Sequence, residues 1–358
     1  MARRAGRSIA ALLFLGATAL LLIYTATQFA RQPEPGETTE SPTPVPVAGE
    51  WPPVSYLDRF GVTGHVEQMA AAAAAGLPFG SYATWRLQVE PEQPNGAFFW
   101  QMIRVSEAGP LPSLAEIDAA IASAPGSTWI IGNEPDVIHQ DNVTPQRYAA
   151  IYHDLYRHIK ERDPAAHVAI AGVAQPTPLR LAYLDIVLDT YQERYGAPMP
   201  VDVWNVHAFI LREERDSWGV DIPPGMGDEL ATQYEIGDHL DLDIFRAFIA
   251  DFRAWMVARG YGNRPLLVSE YGFLMPYEYG FSEAQVIDFM TATFDFFISA
   301  RNDTGPAADD NRLVQWWLWF ILEDDTGEYR PTYLFDRESR TLTPLGEAYA
   351  HYVRSHGP

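Results

Sequence analysis

Between Arg59 and Phe320 the chain alternates short apolar runs with longer stretches of helical pattern. The short runs predict β-strands at Arg59–Thr63, Gly80–Leu87, Phe98–Val105, Thr128–Gly132, His167–Val173, Val203–Ala208, Leu266–Ser269 and Leu313–Phe320. The longer stretches predict helices at His65–Ala75, Ser113–Ser123, Pro145–Arg162, Pro178–Tyr195, Asp243–Arg259 and Glu283–Arg301. The Ala70–Ala75 run belongs to the first helix, because alanine has the highest helix propensity, and Gly76 ends it. Only the connection 88–97 is too rich in proline for a regular helix. Continuously apolar strands alternating with helices imply a parallel sheet covered by helices, and eight units imply closure into a (β/α)8 TIM barrel. A doubly wound open sheet is the alternative. It is disfavoured because no glycine-rich phosphate loop follows the first strand.

The N-terminal part has a different pattern. Arg3, Arg4 and Arg7 precede a charge-free segment from Ser8 to Ala30, which reads as an export signal. Its length approaches the roughly 20 residues that span a bilayer, so a single uncleaved anchor with its basic end in the cytoplasm is expected. A cleaved signal peptide stays open, since the strongest apolar run, Ile9 to Tyr24, is shorter. From Arg31 to Pro53 seven prolines mix with Glu, Thr and Ser, a composition that forms no packed core and reads as a spacer. The expected organisation is 1–30 signal or anchor, 31–53 linker and 54–358 one catalytic domain. The expected location is extracytoplasmic, membrane contact is confined to the N-terminal segment, and a monomer is expected.

Composition then narrows the chemistry. The chain of 358 residues has no cysteine, so disulfides, thiolate metal sites and a cysteine nucleophile are excluded. A formal net charge of −22 repels phosphate backbones, so no nucleic-acid partner is expected. The 10 Trp and 18 Tyr suit stacking on sugar faces, although most such rings simply fill cores. No His and carboxylate set has metal-ligand spacing; His153 and His158 face different sides of their helix. Neither a metal nor another cofactor is expected.

In a barrel, the polar residues that follow each strand build the active site. Two such places carry glutamate: Thr-Trp-Ile-Ile-Gly-Asn133-Glu134-Pro135 after strand four, and Leu-Leu-Val-Ser269-Glu270-Tyr-Gly after strand seven. Either one alone is as well read as a surface or helix-capping carboxylate. The pair, on those two strands, resembles the signature of clan A glycoside hydrolases, the cellulase, mannanase and β-1,3-glucanase group. The resemblance extends over 51–358 in strand order. It implies a retaining O-glycosyl hydrolase in which Glu134 is the acid/base and Glu270 the nucleophile. Retention needs one carboxylic acid to protonate the leaving oxygen and one carboxylate to attack the anomeric carbon, held about 5–5.5 Å apart. Like charges so close separate the two titrations, with the nucleophile expected below its partner.

The same resemblance makes Asn133 the contact for the sugar 2-hydroxyl, against a turn residue as the plainer reading. It places His207, in Asp-Val-Trp-Asn-Val-His at the end of strand six, near the nucleophile. Arg86 after strand two matches the arginine that bonds the nucleophile, with Arg59 as competitor. Strand eight reads Gln-Trp-Trp-Leu-Trp-Phe, and alternation puts Gln315, Trp317 and Trp319 on one face and Trp316, Leu318 and Phe320 on the other. Trp319, with Trp317 beside it, is expected to form the aromatic floor of the sugar site. The long segment from Ile210 to Leu240 is read either as a cleft wall or as an insertion. The expected substrate is a β-linked polysaccharide such as a β-glucan or mannan. The alternative is an inactive barrel that binds cell-surface carbohydrate. An aldolase or lyase would want a lysine at a strand end, and none of the eight strands ends in one.

Overall fold

The computed structural model describes residues 54–324 and 326–357; the N-terminal signal or anchor and the linker expected over 1–53 lie outside the described residues. Eight parallel strands form one sheet: β1 (Phe60–Thr63), β2 (Ser81–Ala83), β3 (Phe98–Ile103), β4 (Thr128–Ile131), β5 (His167–Ile170), β6 (Trp204–His207), β7 (Leu266–Gly272) and β8 (Trp316–Phe320). Their order is β5-β4-β3-β2-β1-β8-β7-β6, so β1 and β8 are hydrogen-bonded neighbours. A parallel bridge between Ala169 and Val203 joins the two remaining edges. The sheet is therefore a barrel, with each strand in the place expected from the sequence. The open-sheet alternative is excluded by that closure.

Seven helices cover the barrel among the described residues: α1 (Val66–Ala74), α2 (Leu114–Ser123), α3 (Pro145–Arg162), α4 (Pro178–Tyr195), α5 (Leu242–Ala258), α6 (Glu283–Ser299) and α7 (Pro344–His356). Their starts obey local chemistry. Ser113 and Ser282 close capping boxes with Glu116 and Gln285, and α3, α4 and α7 begin on proline, whose missing N–H costs nothing in a first turn. Gly76, at φ +98°, follows α1 in a backbone region that side chains resist. Helix α7 is absent from the sequence-based expectation although Thr343, which caps Gly346 N–H, and Pro344 signal its start. The connection 88–97 carries only the 3-10 turn Pro94–Gly96.

Two apolar layers follow from strand alternation. Ala83, Trp100, Met102, Ile130, Ala169, Val203, Leu267, Trp316 and Leu318 fill the barrel, with Trp100 and Trp316 edge to face at 5.5 Å. The opposite faces of the same strands, including Phe60, Trp129, Trp204, Val268 and Trp317, pack against the helices. With both strand faces buried, the runs read as continuous apolar sequence. Among the described residues no helix is long and apolar enough to cross a membrane.

Candidate active site

Glu134 and Glu270 come together on one side chain at the C-terminal mouth. His207, the last residue of β6, is fully buried; its Nδ1–H donates to Glu134 Oε1 at 2.8 Å, and its Nε2 lies 3.7 Å from Glu270 Oε1. Room for this imidazole comes from Gly172, just past β5, where a Cβ would stand 2.4 Å from His207 Cδ2. Both glutamates are nearly buried, at 8% and 5% exposure, so little water screens the charges.

The two carboxylates arrive differently. Glu134 lies beyond β4, past Gly132 and Asn133, and takes φ +44°, rare for a non-glycine residue. Its N–H donates to Gly172 O at 3.1 Å, which ties the turn to the neighbouring strand end. Asp141 supports the same turn: its Oδ2 accepts from Asn133 N–H at 2.6 Å and from Val105 N–H at 3.1 Å, and Arg104 pairs with it.

Glu270 instead lies inside β7. Strict alternation from inward Leu267 and outward Val268 turns Glu270 outward, away from any substrate. A bulge at Ser269 corrects the phase. The register runs Val206 opposite Val268 and then His207 opposite Glu270, and the same slip recurs between Trp317 and Trp319 on β8. The additional residue re-aims Glu270 into the mouth and sends Tyr271 out against Phe297 and Trp319. The displaced Ser269 N–H is taken by Asn205 Oδ1 at 3.3 Å, from an inward position on β6.

Electrostatics couples the three groups. Burial pushes the Glu270 carboxyl above its ordinary range; His207 pulls it down, Glu134 pushes it up, and a hydrogen bond from Trp85 pulls it down. Burial also opposes charge on His207, but Glu270, the hydrogen bond to Glu134 and the charges of Glu134 and Asp136 outweigh it, so the imidazole is raised and holds its proton more tightly than usual. The imidazole is the shared partner of both carboxyl groups.

The remaining expected residues separate. Asn133 is buried beside Glu134; its Nδ2 donates to Gln140 at 3.4 Å, and its Oδ1 has no hydrogen-bond partner. Arg86 is exposed and does not serve Glu270. The preceding residue does: Trp85 Nε1–H donates to Glu270 Oε1 at 2.9 Å. Arg59 pairs with Asp309 before β1, at the opposite end of the barrel. Trp317 and Trp319 are fully buried on the outer face of β8, Trp317 stacked on Phe297 and Trp319 donating Nε1–H to Thr332 O. The face expected to be the floor is thus the helix-facing one, because Trp316 and Leu318 fill the barrel and Phe320 continues their side. Half-buried Phe320 lies edge-on to Trp85 and Phe209, at 6.0 and 5.6 Å, and these rings stand where Trp319 was expected. Trp85 carried a readable signal, being aromatic and directly after strand two; nothing local distinguished it from the other tryptophans.

The segment between β6 and α5 is anchored from inside. Glu213, fully buried, accepts from Thr232 N–H at 2.7 Å, Gln175 Nε2 at 3.2 Å and Thr177 Oγ1 at 2.5 Å. His239 accepts Leu274 N–H on Nε2 at 2.8 Å and donates Nδ1–H to Ile210 O at 2.9 Å.

Among the described residues no group of three or more His, Asp or Glu is arranged to hold a metal ion. A cavity of about 590 Å³ opens at the other end of the barrel, lined by the first residues of four strands, Phe98, Thr128, His167 and Trp316. Barrel floors of this kind serve stability, whereas strand C-termini carry chemistry.

No protein-family model and no curated protein sequence matches the chain. Solved structures do. A GH128 subgroup II endo-β-1,3-glucanase from Sorangium cellulosum is 15% identical, covering 82% of this chain and 97% of its own, with a TM-score of 0.53. A subgroup I endo-β-1,3-glucanase from Amycolatopsis mediterranei, in complex with laminaritriose, is 18% identical over 82% and 99%, with a TM-score of 0.52. A subgroup VII oligosaccharide-binding protein from Cryptococcus neoformans is 13% identical over 85% and 96%, with a TM-score of 0.54. At these identities the likeness is one of fold: the described barrel has the fold of these carbohydrate-active proteins.

Proposed function

We propose that the chain is a glycoside hydrolase that cleaves a β-linked glucan with retention, Glu134 acting as acid/base and Glu270 as nucleophile. The observation that carries this reading is the His207 imidazole held between two nearly buried carboxylates at the C-terminal mouth of the barrel. Glu270 attacks the anomeric carbon while the Glu134 carboxyl proton passes to the glycosidic oxygen, which leaves as an alcohol. Water, deprotonated by Glu134, then displaces Glu270 and releases the sugar in its original configuration. The Trp85 indole is a donor only, so its bond favours the ionised Glu270 that attack requires. Asn133 Oδ1, buried and unpartnered, suits a hydroxyl of the sugar bound at this turn. Trp85 and Phe320 supply ring faces for stacking.

The β-1,3-glucanases among the structural neighbours favour a β-1,3-glucan over the mannan that the sequence also admits. The extracytoplasmic location and the N-terminal tether belong to the proposal on the strength of the segment 8–30 alone. The second reading, sugar binding without turnover, is favoured by one observation, the oligosaccharide-binding neighbour. A single experiment separates the two: residues 54–358 are incubated with laminarin, curdlan, mannan and xylan, and the anomer first released is followed by NMR. Release of β-anomer from a β-glucan supports the proposal, α-anomer means inversion, and binding without release selects the second reading.

A further inference from the structure

Behind Glu134 lies a chain of charges that the chemistry above does not use. Asp136, two residues on, is fully buried; its Oδ2 accepts from Ala174 N–H at 3.2 Å and forms an ion pair with Arg180 Nε at 2.7 Å without hydrogen-bond alignment, while its Oδ1 has no hydrogen-bond partner. Arg180, in the first turn of α4 and also fully buried, pairs with Glu213 and donates to Val220 O at 3.0 Å and Asp221 O at 3.2 Å. One guanidinium therefore joins the turn that carries Glu134 to the long segment after β6. Three charges removed from water are a poor device for stability, since well-packed neutral side chains do as well or better. The same cost is sensible where a strained backbone must be held in one place. Glu134 supplies that strain at φ +44°.

We propose that Arg180 is a positioning residue which, by gripping Asp136, holds Glu134 in its left-handed backbone conformation with Oε1 on His207, so that proton donation to the leaving group depends on it and nucleophilic attack does not. The assignment rests on the reading of Glu134 as acid/base. Glu270 is positioned independently, by the bulge in β7 and by Trp85. Loss of Arg180 thus acts on one half of the chemistry, and the leaving group reveals which half. A dinitrophenyl leaving group departs without protonation, whereas a phenyl group needs it.

The test compares Arg180→Met and the neutral triple variant Asp136→Asn, Arg180→Met, Glu213→Gln with the wild type on 2,4-dinitrophenyl and phenyl β-laminaribioside. Folding is checked by circular dichroism and thermal melting. The triple variant leaves no unpaired buried charge, so it reports on loss of the whole Asp136–Arg180–Glu213 link even if the single variant does not fold. We expect kcat/KM for the dinitrophenyl glycoside to stay within about threefold and that for the phenyl glycoside to fall by about 10²-fold, the lower range for loss of general acid catalysis. A crystal structure of either variant should show Glu134 displaced from His207. An equal fall on both glycosides in a folded variant, or a Glu134 still at positive φ on His207, overturns the assignment, as does failure of both variants to fold. Wild-type protein that turns over neither glycoside removes the hydrolase reading and this assignment with it; turnover with an equal fall removes this assignment alone.

Discussion

The two sides of the barrel mouth bring a carboxylate to the same imidazole by opposite means. On the Glu270 side the chain never leaves the sheet: Glu270 stays in β7, re-aimed by the bulge at Ser269 and backed by Tyr271 packed on Trp319 and Phe297. On the Glu134 side the chain has left β4, and the turn 132–141 is held by polar groups, with Asp141 on its first residues and Asp136 on Arg180 behind. Sheet pairing and apolar packing fit the role proposed for Glu270, that of a nucleophile that must meet one carbon atom. A turn held by hydrogen bonds suits a residue that gives up a proton and later takes one back. Position costs little on the first side, since ladder and core already supply it; on the second it requires buried charge.

The sharpest division comes from removing each carboxylate. Glu270→Ala should abolish turnover even with activated leaving groups, because no glycosyl-enzyme forms without it, and azide should not restore retention. Glu134→Ala should lose about 10²- to 10⁴-fold on glucan, keep formation of the intermediate from dinitrophenyl glycosides, and recover with azide to give the β-glycosyl azide. Azide rescue measured by NMR of the product decides it, and the reverse pattern would exchange the two roles.

Packing on the Glu270 side is broken by Trp319→Ala, expected to cost about 3–5 kcal/mol in urea unfolding, as for other buried aromatics. Phe320→Ala, its neighbour on the cleft side, should raise KM and leave the unfolding midpoint nearly unchanged. If Trp319→Ala proves stable and raises KM instead, the faces of β8 are exchanged.

The tie between the ends of β6 and β7 is testable by pH. Burial drives His239 down to about 4 from 6.5, against the hydrogen bond to Ile210 O, which raises it. Because the folded value lies below the unfolded one, the neutral ring's contribution is fully present above pH 6.5 and is lost as pH falls through 4. The shift corresponds to about 3 kcal/mol. Wild-type stability measured by urea unfolding between pH 6.5 and 4 should therefore fall more steeply than that of His239→Gln, which has nothing to protonate. Parallel slopes would mean that His239 is hydrated or already charged.

The smallest effect is expected from Trp85→Phe, which keeps the ring and removes the donor to Glu270. A hydrogen bond to a charged group contributes about 1.5–3 kcal/mol, so kcat/KM should fall roughly tenfold to a hundredfold. The loss should appear mainly in kcat, because the stacking face remains. An unchanged kcat would leave His207 and the more distant charge of Arg104 to favour the Glu270 anion.

Much of this molecule was legible from its residues alone. Apolar runs separated by helical stretches located all eight barrel strands and six of the seven described helices, because burial on both faces leaves an unbroken apolar signature that no surface strand shares. Glu134, just past β4, and His207, at the end of β6, could be placed together from the sequence because a barrel puts strand ends at one mouth. What the sequence could not decide was direction. Whether Glu270 or Ser269, Trp319 or Phe320, Trp85 or Arg86 faces the cleft depends on the phase of each strand. A bulge at Ser269, visible only once β6 and β8 lie beside β7, resets that phase for Glu270. The pairing of Asp136 with Arg180 and of Arg180 with Glu213, across separations of 44 and 33 residues, likewise exists only after closure. Periodicity is a property of neighbours along the chain; facing is a property of neighbours in space, and the cleft is built from the second.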